Sequence, residues 1–303
     1  MGSPFQLTGI HHVTAMASDP QANINFYEGV LGLRLVKVTI NYDDPSMVHL
    51  YYANGNAEVG STLTFFPIPG MRQGVSGRGA ARSLTYSVPT GTVPAWQDYL
   101  ASEGVATLLN EAGEVVLRDP DGMEVRLRPS AEAPDLYSGG RRPLELAPQR
   151  IVGVELHSFK PAETQRFLTG LGATEDLVLA DGAQVSLVPA SNQTSLNPGA
   201  GTFHHVAFTS SQSIEDTHAA IIETGRHISP IMERDYFRSI YFREPGAVLF
   251  EVATLEPGFT FDEPLEALGT SVRIPDWLTL GRESVKNSLP ELHHFDGNMI
   301  LLG

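Results

Sequence analysis

Gly9-Ile10-His11-His12-Val13-Thr14, with its echo Thr202-Phe203-His204-His205-Val206-Ala207-Phe208, is the pair of stretches on which the fold turns. Both place two histidines at the start of an apolar, β-branched run, and both lead into a segment with helical periodicity. A unit that returns at this distance is first a sign of internal repetition. Working outward from His11 and His12, residues 7–17 read as a strand. Asp19-Pro20 reads as a helix start, with Asp as the cap and Pro in the first turn. Ile24, Phe26, Tyr27, Val30 and Leu31 form an apolar helical face that Gly32 closes. Strands are expected at 33–42, 47–53 and 61–67, which completes a βαβββ unit.

The pattern then restarts. A strand at 83–89, a helix at 93–104 and three short strands follow, the last two joined by Asp119-Pro120-Asp121-Gly122. The polar stretch 129–148, with Pro134, Gly139, Gly140 and Pro143, marks the best boundary. A third round opens at Ile151, with a helix from Pro161 to Gly170 and strands expected at 172–180 and 183–190. Its fourth strand gives way to a loop at 190–201. The fourth round starts at Phe203, caps its helix at Ser213 in the manner of a capping box, and ends on strands over PIMERDY, SIYFRE and AVLFEVAT. The expected architecture is α+β: repeated βαβββ modules, paired two and two, forming curved mixed sheets around a metal site. The expected divisions are 1–130, 149–255 and a tail, 256–303, packing on the second half.

Composition narrows the function. The 303 residues carry a formal charge of −15, with 20 Lys and Arg against 35 Asp and Glu. That balance argues against nucleic acid, which requires clustered cations, and against anionic membrane surfaces. There is no cysteine, so thiolate metal sites and thiol nucleophiles are excluded. The N-terminus shows no signal-peptide pattern and no apolar run approaches the ~18 residues of a membrane span. These features point to an intracellular, cytoplasmic protein.

The last strand of round four, Glu244-Pro245-Gly246-Ala247-Val248-Leu249-Phe250-Glu251-Val252-Ala253, is apolar except for Glu251. A buried carboxylate is costly unless paired or bound to a metal. One histidine from each pair plus Glu251 makes a three-ligand face, which leaves room for exogenous ligands and suits non-haem Fe(II). His12 and His205 are the choice within the pairs, because each is followed by a small or β-branched apolar residue at the same place in two repeats. In round two the same count lands on Arg126, with Glu124 two residues earlier, so that round supplies no obvious ligand. His49, His157, His218 and His227 read as structural, and His293-His294 sits in a tail without strand character.

IHHVTAM, FHHVAFT and VLFEVAT on paired βαβββ rounds resemble the vicinal oxygen chelate (glyoxalase/bleomycin resistance/dioxygenase) superfamily. Within it the chain is most similar to ring-cleaving dioxygenases of hydroquinones. The likeness extends to LGLRLVK (31–37), Asn41 to Pro45 and GFTFDEPLEALG (258–269). It implies an enzyme in which His12, His205 and Glu251 hold Fe(II), with Mn(II) as the alternative. By the same resemblance His11 and His204 are pocket residues beside the ligands, with Thr14 near them, while Arg234 and Tyr241 approach the substrate. The implied partners are a small aromatic diol and O2; a homo-oligomer is compatible with the sequence. The stretches 129–148 and 190–201 match nothing in the family pattern. Two other functions fit the same fold: a metal-dependent glyoxalase-type isomerase or lyase, disfavoured by Arg126 where a second acid would be needed, and a resistance protein that only sequesters its ligand, which would have no use for the two pairs and Glu251.

Overall fold

A computed structural model describes residues 5–132, 137–189, 194–279 and 281–303. Parts of the stretches 129–148 and 190–201 therefore lie outside the described residues. The first module is β1 (Leu7–Ala17), α1 (Pro20–Ile24), β2 (Arg34–Ile40), β3 (Val48–Ala53) and β4 (Thr62–Pro67). Asp19 accepts the amide of Ala22 at 2.8 Å and caps α1, which runs on as a wider π-helical turn to Val30. Gly32, at φ +67°, then reverses the chain in a conformation that other residues rarely adopt. The second module is β5 (Ala80–Pro89), α2 (Val93–Ser102), β6 (Thr107–Leu109), β7 (Val115–Arg118) and β8 (Glu124–Ser130). The third is β9 (Ile151–His157), α3 (Pro161–Gly170) and β10 (Gln184–Leu187). The fourth is β11 (Phe203–Ser210), α4 (Ile214–Glu223), β12 (Met232–Glu233), β13 (Phe237–Arg243) and β14 (Leu249–Pro257). Ser213 accepts the Asp216 amide and caps α4.

Beyond β14 lie β15 (Ser271–Arg273), α5 (Arg282–Ser288) and β16 (Leu301–Leu302). The strands form two mixed sheets. One runs β12-β13-β14-β11-β1-β4-β3-β2-β15-β16, the other β10-β9-β5-β8-β7-β6. The sheets do not follow the halves of the chain: the first module shares its sheet with the fourth, and the second with the third. Among the described residues no helix is long and apolar enough to cross a membrane.

Two expectations change. Residues 172–180 are not a strand. Leu177 sits at φ +58° and its amide closes a turn onto the Thr174 carbonyl at 2.9 Å, so only a single bridge, Val178 to Gln184, remains. The local turn takes the backbone hydrogen bonds that a ladder would have used.

The tail, expected on the second half, meets it at Tyr236 and Phe237 and also closes the edge of the first module. Its β15 pairs in parallel with β2, placing Val272 opposite Val38. The cause is Lys37, a fully buried lysine in the middle of β2. Its ammonium bonds Asp262 at 2.6 Å and also Glu263, both from the tail. Phe259 and Leu268 complete the seam by packing with Val36, Tyr51, Tyr236 and Phe237. Buried charge of this kind is tolerated only while its partners stay in place. Lys37→Met should therefore lower stability by about 3 kcal/mol and open residues 256–303 to limited proteolysis. Denaturant titration with mapping of the cleavage sites would test this, and an unchanged midpoint with a protected tail would contradict it.

Candidate metal centre

The two central strands of the larger sheet, β1 and β11, run antiparallel and bring the two histidine pairs together. In a regular strand, neighbouring residues face opposite sides. Here the register slips. Ile10 faces Phe208 and His12 faces Ala207, so His11 is unopposed; Ala15 faces Phe203 and Thr14 faces His205, so His204 is unopposed. Each pair thus carries a β-bulge at its first histidine, and bulges re-aim side chains. In consequence neither His11 nor His204 leaves the site: each ring lies with its centroid 5.0 Å from that of its neighbour. Beside β11, β14 places Glu251 next to Ala207, and β13 sets Tyr241 directly across from Glu251.

Nε2 of His205 and of His12 lie 2.8 Å and 3.2 Å from the same Glu251 oxygen, Oε2, and 3.3 Å from each other. All three residues are buried, and Glu251 has no exposure at all. Neither carboxylate oxygen has a partner in hydrogen-bonding geometry. The two rings and the carboxylate converge on one point. Burial works to raise the Glu251 pKa, but His12 and His205 together outweigh it and hold the carboxyl well below its ordinary value, ionised.

The hydrogen positions follow from the bonds around the pair. His11 Nε2 lies 2.9 Å from the Thr254 carbonyl, which can only accept, so that nitrogen carries a proton. Burial, reinforced by His12, pushes the His11 pKa down to about 3, so its other nitrogen is bare at neutral pH. The 2.8 Å contact between His11 Nδ1 and His12 Nδ1 must then be donated by His12. In a neutral ring this leaves Nε2 of His12 with a bare lone pair facing an ionised carboxylate. A cation is what such a set of donors fits, and the hydrogen bond at the far nitrogen of a ligating imidazole is the usual device for fixing its tautomer. His205 repeats the arrangement with His204 through a 2.8 Å Nδ1 contact; burial lowers the His205 pKa. Desolvation, then His205, bring the His204 pKa down to about 4, although that residue reaches the surface at the cavity mouth.

The donor set opens onto a cavity of ≈ 340 Å³. Tyr241 lines one wall, with the Arg234 guanidinium 5.6 Å from its ring centre. Arg234 also pairs with Asp43 at 3.2 Å. Burial works against this charge, but Tyr241 and Asp43 keep its pKa above the ordinary value. Phe237 and Phe66 supply apolar surface. The structure therefore brings His11, His12, His204, His205, Arg234, Tyr241 and Glu251 into one site. It adds His49, read as structural in the sequence, whose ring lines the opposite wall with Tyr51. The period-two spacing of His49 and Tyr51 on β3 was the available signal: two polar rings on one face of a strand of the larger sheet.

The smaller sheet contains the corresponding place, filled differently. Arg126 stands opposite Thr85 as Glu251 stands opposite Ala207. Its guanidinium bonds Glu155 at 2.6 Å and Glu124 at 2.7 Å. An internal ion cluster occupies the second cup. His294, in the tail, bonds Glu28 at 2.8 Å and serves to anchor it. Among the described residues, His12, His205 and Glu251 form the one cluster of metal-ligating groups that converges.

The description "Glyoxalase/Bleomycin resistance protein/Dioxygenase superfamily" matches residues 9–127. MhqE of Bacillus subtilis (strain 168), provisionally named a ring-cleaving dioxygenase, is 40% identical over 311 residues, 94% of this chain and 99% of its own. The chain belongs to that superfamily. A second relative, the chlorohydroquinone/hydroquinone 1,2-dioxygenase of Sphingobium indicum, is 29% identical, covering 95% of this chain and 97% of its own. Among solved structures, a provisionally named dioxygenase of Bacillus subtilis superposes with a TM-score of 0.86 at 34% identity, over 95% of this chain and 98% of its own. Glyoxalase I from Zea mays, at 15% identity, shares the fold with a TM-score of 0.58 over 81% of this chain and 92% of its own.

Two outcomes are expected. Glu251→Gln should cost at least tenfold in affinity for divalent metal, measured by equilibrium dialysis, while the fold is retained. In metal-free protein, the unfolded state takes up a proton on His11 below about pH 6.5 that the folded state refuses down to about 3. Stability must therefore rise with pH across that window and fall as pH drops. Unfolding of chelated protein at pH 7.5, 6 and 5 should show the gap between wild type and His11→Gln narrowing towards low pH; parallel curves would contradict the assignment.

Proposed function

We propose that the chain is a ring-cleaving dioxygenase that acts on hydroquinone-type aromatic diols, using a metal held by His12, His205 and Glu251. Fe(II) is the preferred ion and Mn(II) the alternative. The observation that carries the reading is the three-ligand face, buried behind and open in front to a cavity with aromatic walls. Two imidazoles and one carboxylate on one side of an ion are the ligand set suited to non-haem iron chemistry with O2. The relatives named for ring cleavage and for hydroquinone support the substrate class.

When bound, the metal supplies a place where a phenolic oxygen loses its proton readily and where O2 can be engaged. The chain's own residues supply the rest. His11 fixes the tautomer of His12, and His204 fixes that of His205. Glu251 provides the negative charge that holds the ion. Tyr241, beside Glu251, and Arg234, above the Tyr241 ring, offer O–H and N–H donors to oxygens of the substrate. A para-diol cannot chelate one ion through both hydroxyls, so its far hydroxyl needs a protein partner, and Arg234 is placed to provide it. Phe66 and Phe237 bound the space for the ring. A cavity of ≈ 340 Å³ lies at the small end of the range of ligand sites, roughly 300–1,000 Å³, and suits one substituted ring.

An isomerase of the glyoxalase type would need a further acid, and the second cup presents Arg126 instead. A sequestering protein would have no need of a buried, unpartnered carboxylate. Oxygen uptake separates the three. Protein purified without air and loaded with Fe(II) should consume one O2 per substrate with hydroquinone, methylhydroquinone or a chlorohydroquinone, with a new ring-opened absorbance. Glu251→Gln should lower that rate by at least about 10³-fold, the order expected when a stabilising charge at the reaction centre is lost. Bound Fe(II) without uptake on any of these diols or on catechol would refute the reading.

A further inference from the structure

Thr14 and Thr64, both fully buried, stand side by side on β1 and β4. Their hydroxyls are 2.8 Å apart. Thr14 Oγ1 is also 2.8 Å from Nε2 of His205, and Thr64 Oγ1 is 2.8 Å from Nε2 of His49. The result is an unbroken line across four neighbouring strands, from the cavity wall at His49 to the ligand face at His205. The His49 ring cannot swing away. It is packed between Tyr51 and Phe66, with ring centroids 4.0 and 4.2 Å distant.

We infer that His49 and Thr64 are positioning residues that start and carry a one-way donor line, so that the Thr14 hydroxyl hydrogen is aimed at whatever oxygen is held on the His12–His205–Glu251 face. This deepens the dioxygenase reading and rests on it for the identity of that oxygen. The contacts allow two directions, and the line is assigned the one that serves the ligand face. A ligating His205 Nε2 has no hydrogen, so Thr14 does not accept there, and in this direction it donates towards that side. Its oxygen is then free to accept from Thr64, and Thr64 to accept from an N–H of His49. Burial holds the His49 pKa well below its ordinary value, so the ring is neutral with one N–H to give. A hydroxyl fixed as a donor needs no reorientation when negative charge develops on the bound oxygen, which is how a preorganised donor acts. Left without the line, the Thr14 hydroxyl could rotate towards Thr64 and be lost to the site.

The test uses 4-nitrocatechol, whose phenol and phenolate forms differ in absorbance, bound under argon to the Fe(II)-loaded protein at fixed pH. Thr64→Val keeps shape and removes the hydroxyl; Thr64→Ser keeps the hydroxyl. The phenolate-to-phenol ratio of bound dye should fall about tenfold in Thr64→Val, the effect of one lost hydrogen bond to the charged form, and return in Thr64→Ser. His49→Gln, which retains an N–H, should stay near wild type, and His49→Leu should match Thr64→Val. Equal ratios in wild type and Thr64→Val, no recovery in Thr64→Ser, or a dye that wild type fails to bind would overturn the inference. The readout needs no turnover. Failure of O2 uptake in wild type would sink the dioxygenase reading separately and leave the dye ratio to decide the donor line.

Discussion

A carboxylate with no exposure, set between two imidazoles, is the constraint around which this protein is built. Glu251 could have been neutralised by an arginine, as buried acids commonly are. It is instead kept ionised, against the cost of burial, by the charge and hydrogen bonds of His12 and His205. Such a set of donors suits a cation, and everything nearby serves to hold it in shape. His11 is locked by the Thr254 carbonyl, His12 by His11, and β14 is flanked by β11 and β13 so that Glu251 cannot withdraw.

The sheet supplies the rigidity. Because the first and fourth modules share one sheet, the ligands come from adjacent strands although they lie 193 residues apart in the chain for the two histidines. Functional groups carried on central strands are held more precisely than groups on loops. The paired bulges then do what a flat ladder cannot: they keep both members of each histidine pair within one site. The tail contributes at one remove. By neutralising Lys37 it covers β2, and the same seam packs Phe237, which faces both His11 and His12 at ring distances of 5.1 and 5.2 Å.

Much of this was legible before the structure. The four openings of the repeat, the caps at Asp19 and Ser213, and the odd acid in an apolar strand at Glu251 are local signals, set by periodicity and by residue chemistry. The bulges were not legible, since the register of two strands distant in sequence depends on both at once. A flat ladder would have set His11 and His204 on the face opposite their neighbours. His49 was missed for a related reason: a single histidine on β3 carries no message until β3 is known to border β4 and β1. Segment 172–180 failed because apolar content suggested a strand while Leu177 took a left-handed turn. The tail's hold on the first module was missed because the partner requirement of Lys37 was the deciding fact, and a lysine inside an alternating strand reads as solvent-facing.

The two cups of the molecule show two solutions to one electrostatic problem. In the smaller sheet the place of the ion is taken by Arg126, whose guanidinium satisfies Glu155 and Glu124 from within the chain. That arrangement pairs its charges within the chain. In the larger sheet the equivalent position is the acid itself, faced by His12 and His205, with the cavity beyond them. A carboxylate at this depth would be too costly to retain for structure alone, because an apolar replacement would be at least as stable. Its presence, with His12 held in the tautomer that a cation requires, argues that the cost is borne for an ion, and that the fold's stability and its chemistry are linked through that one occupant.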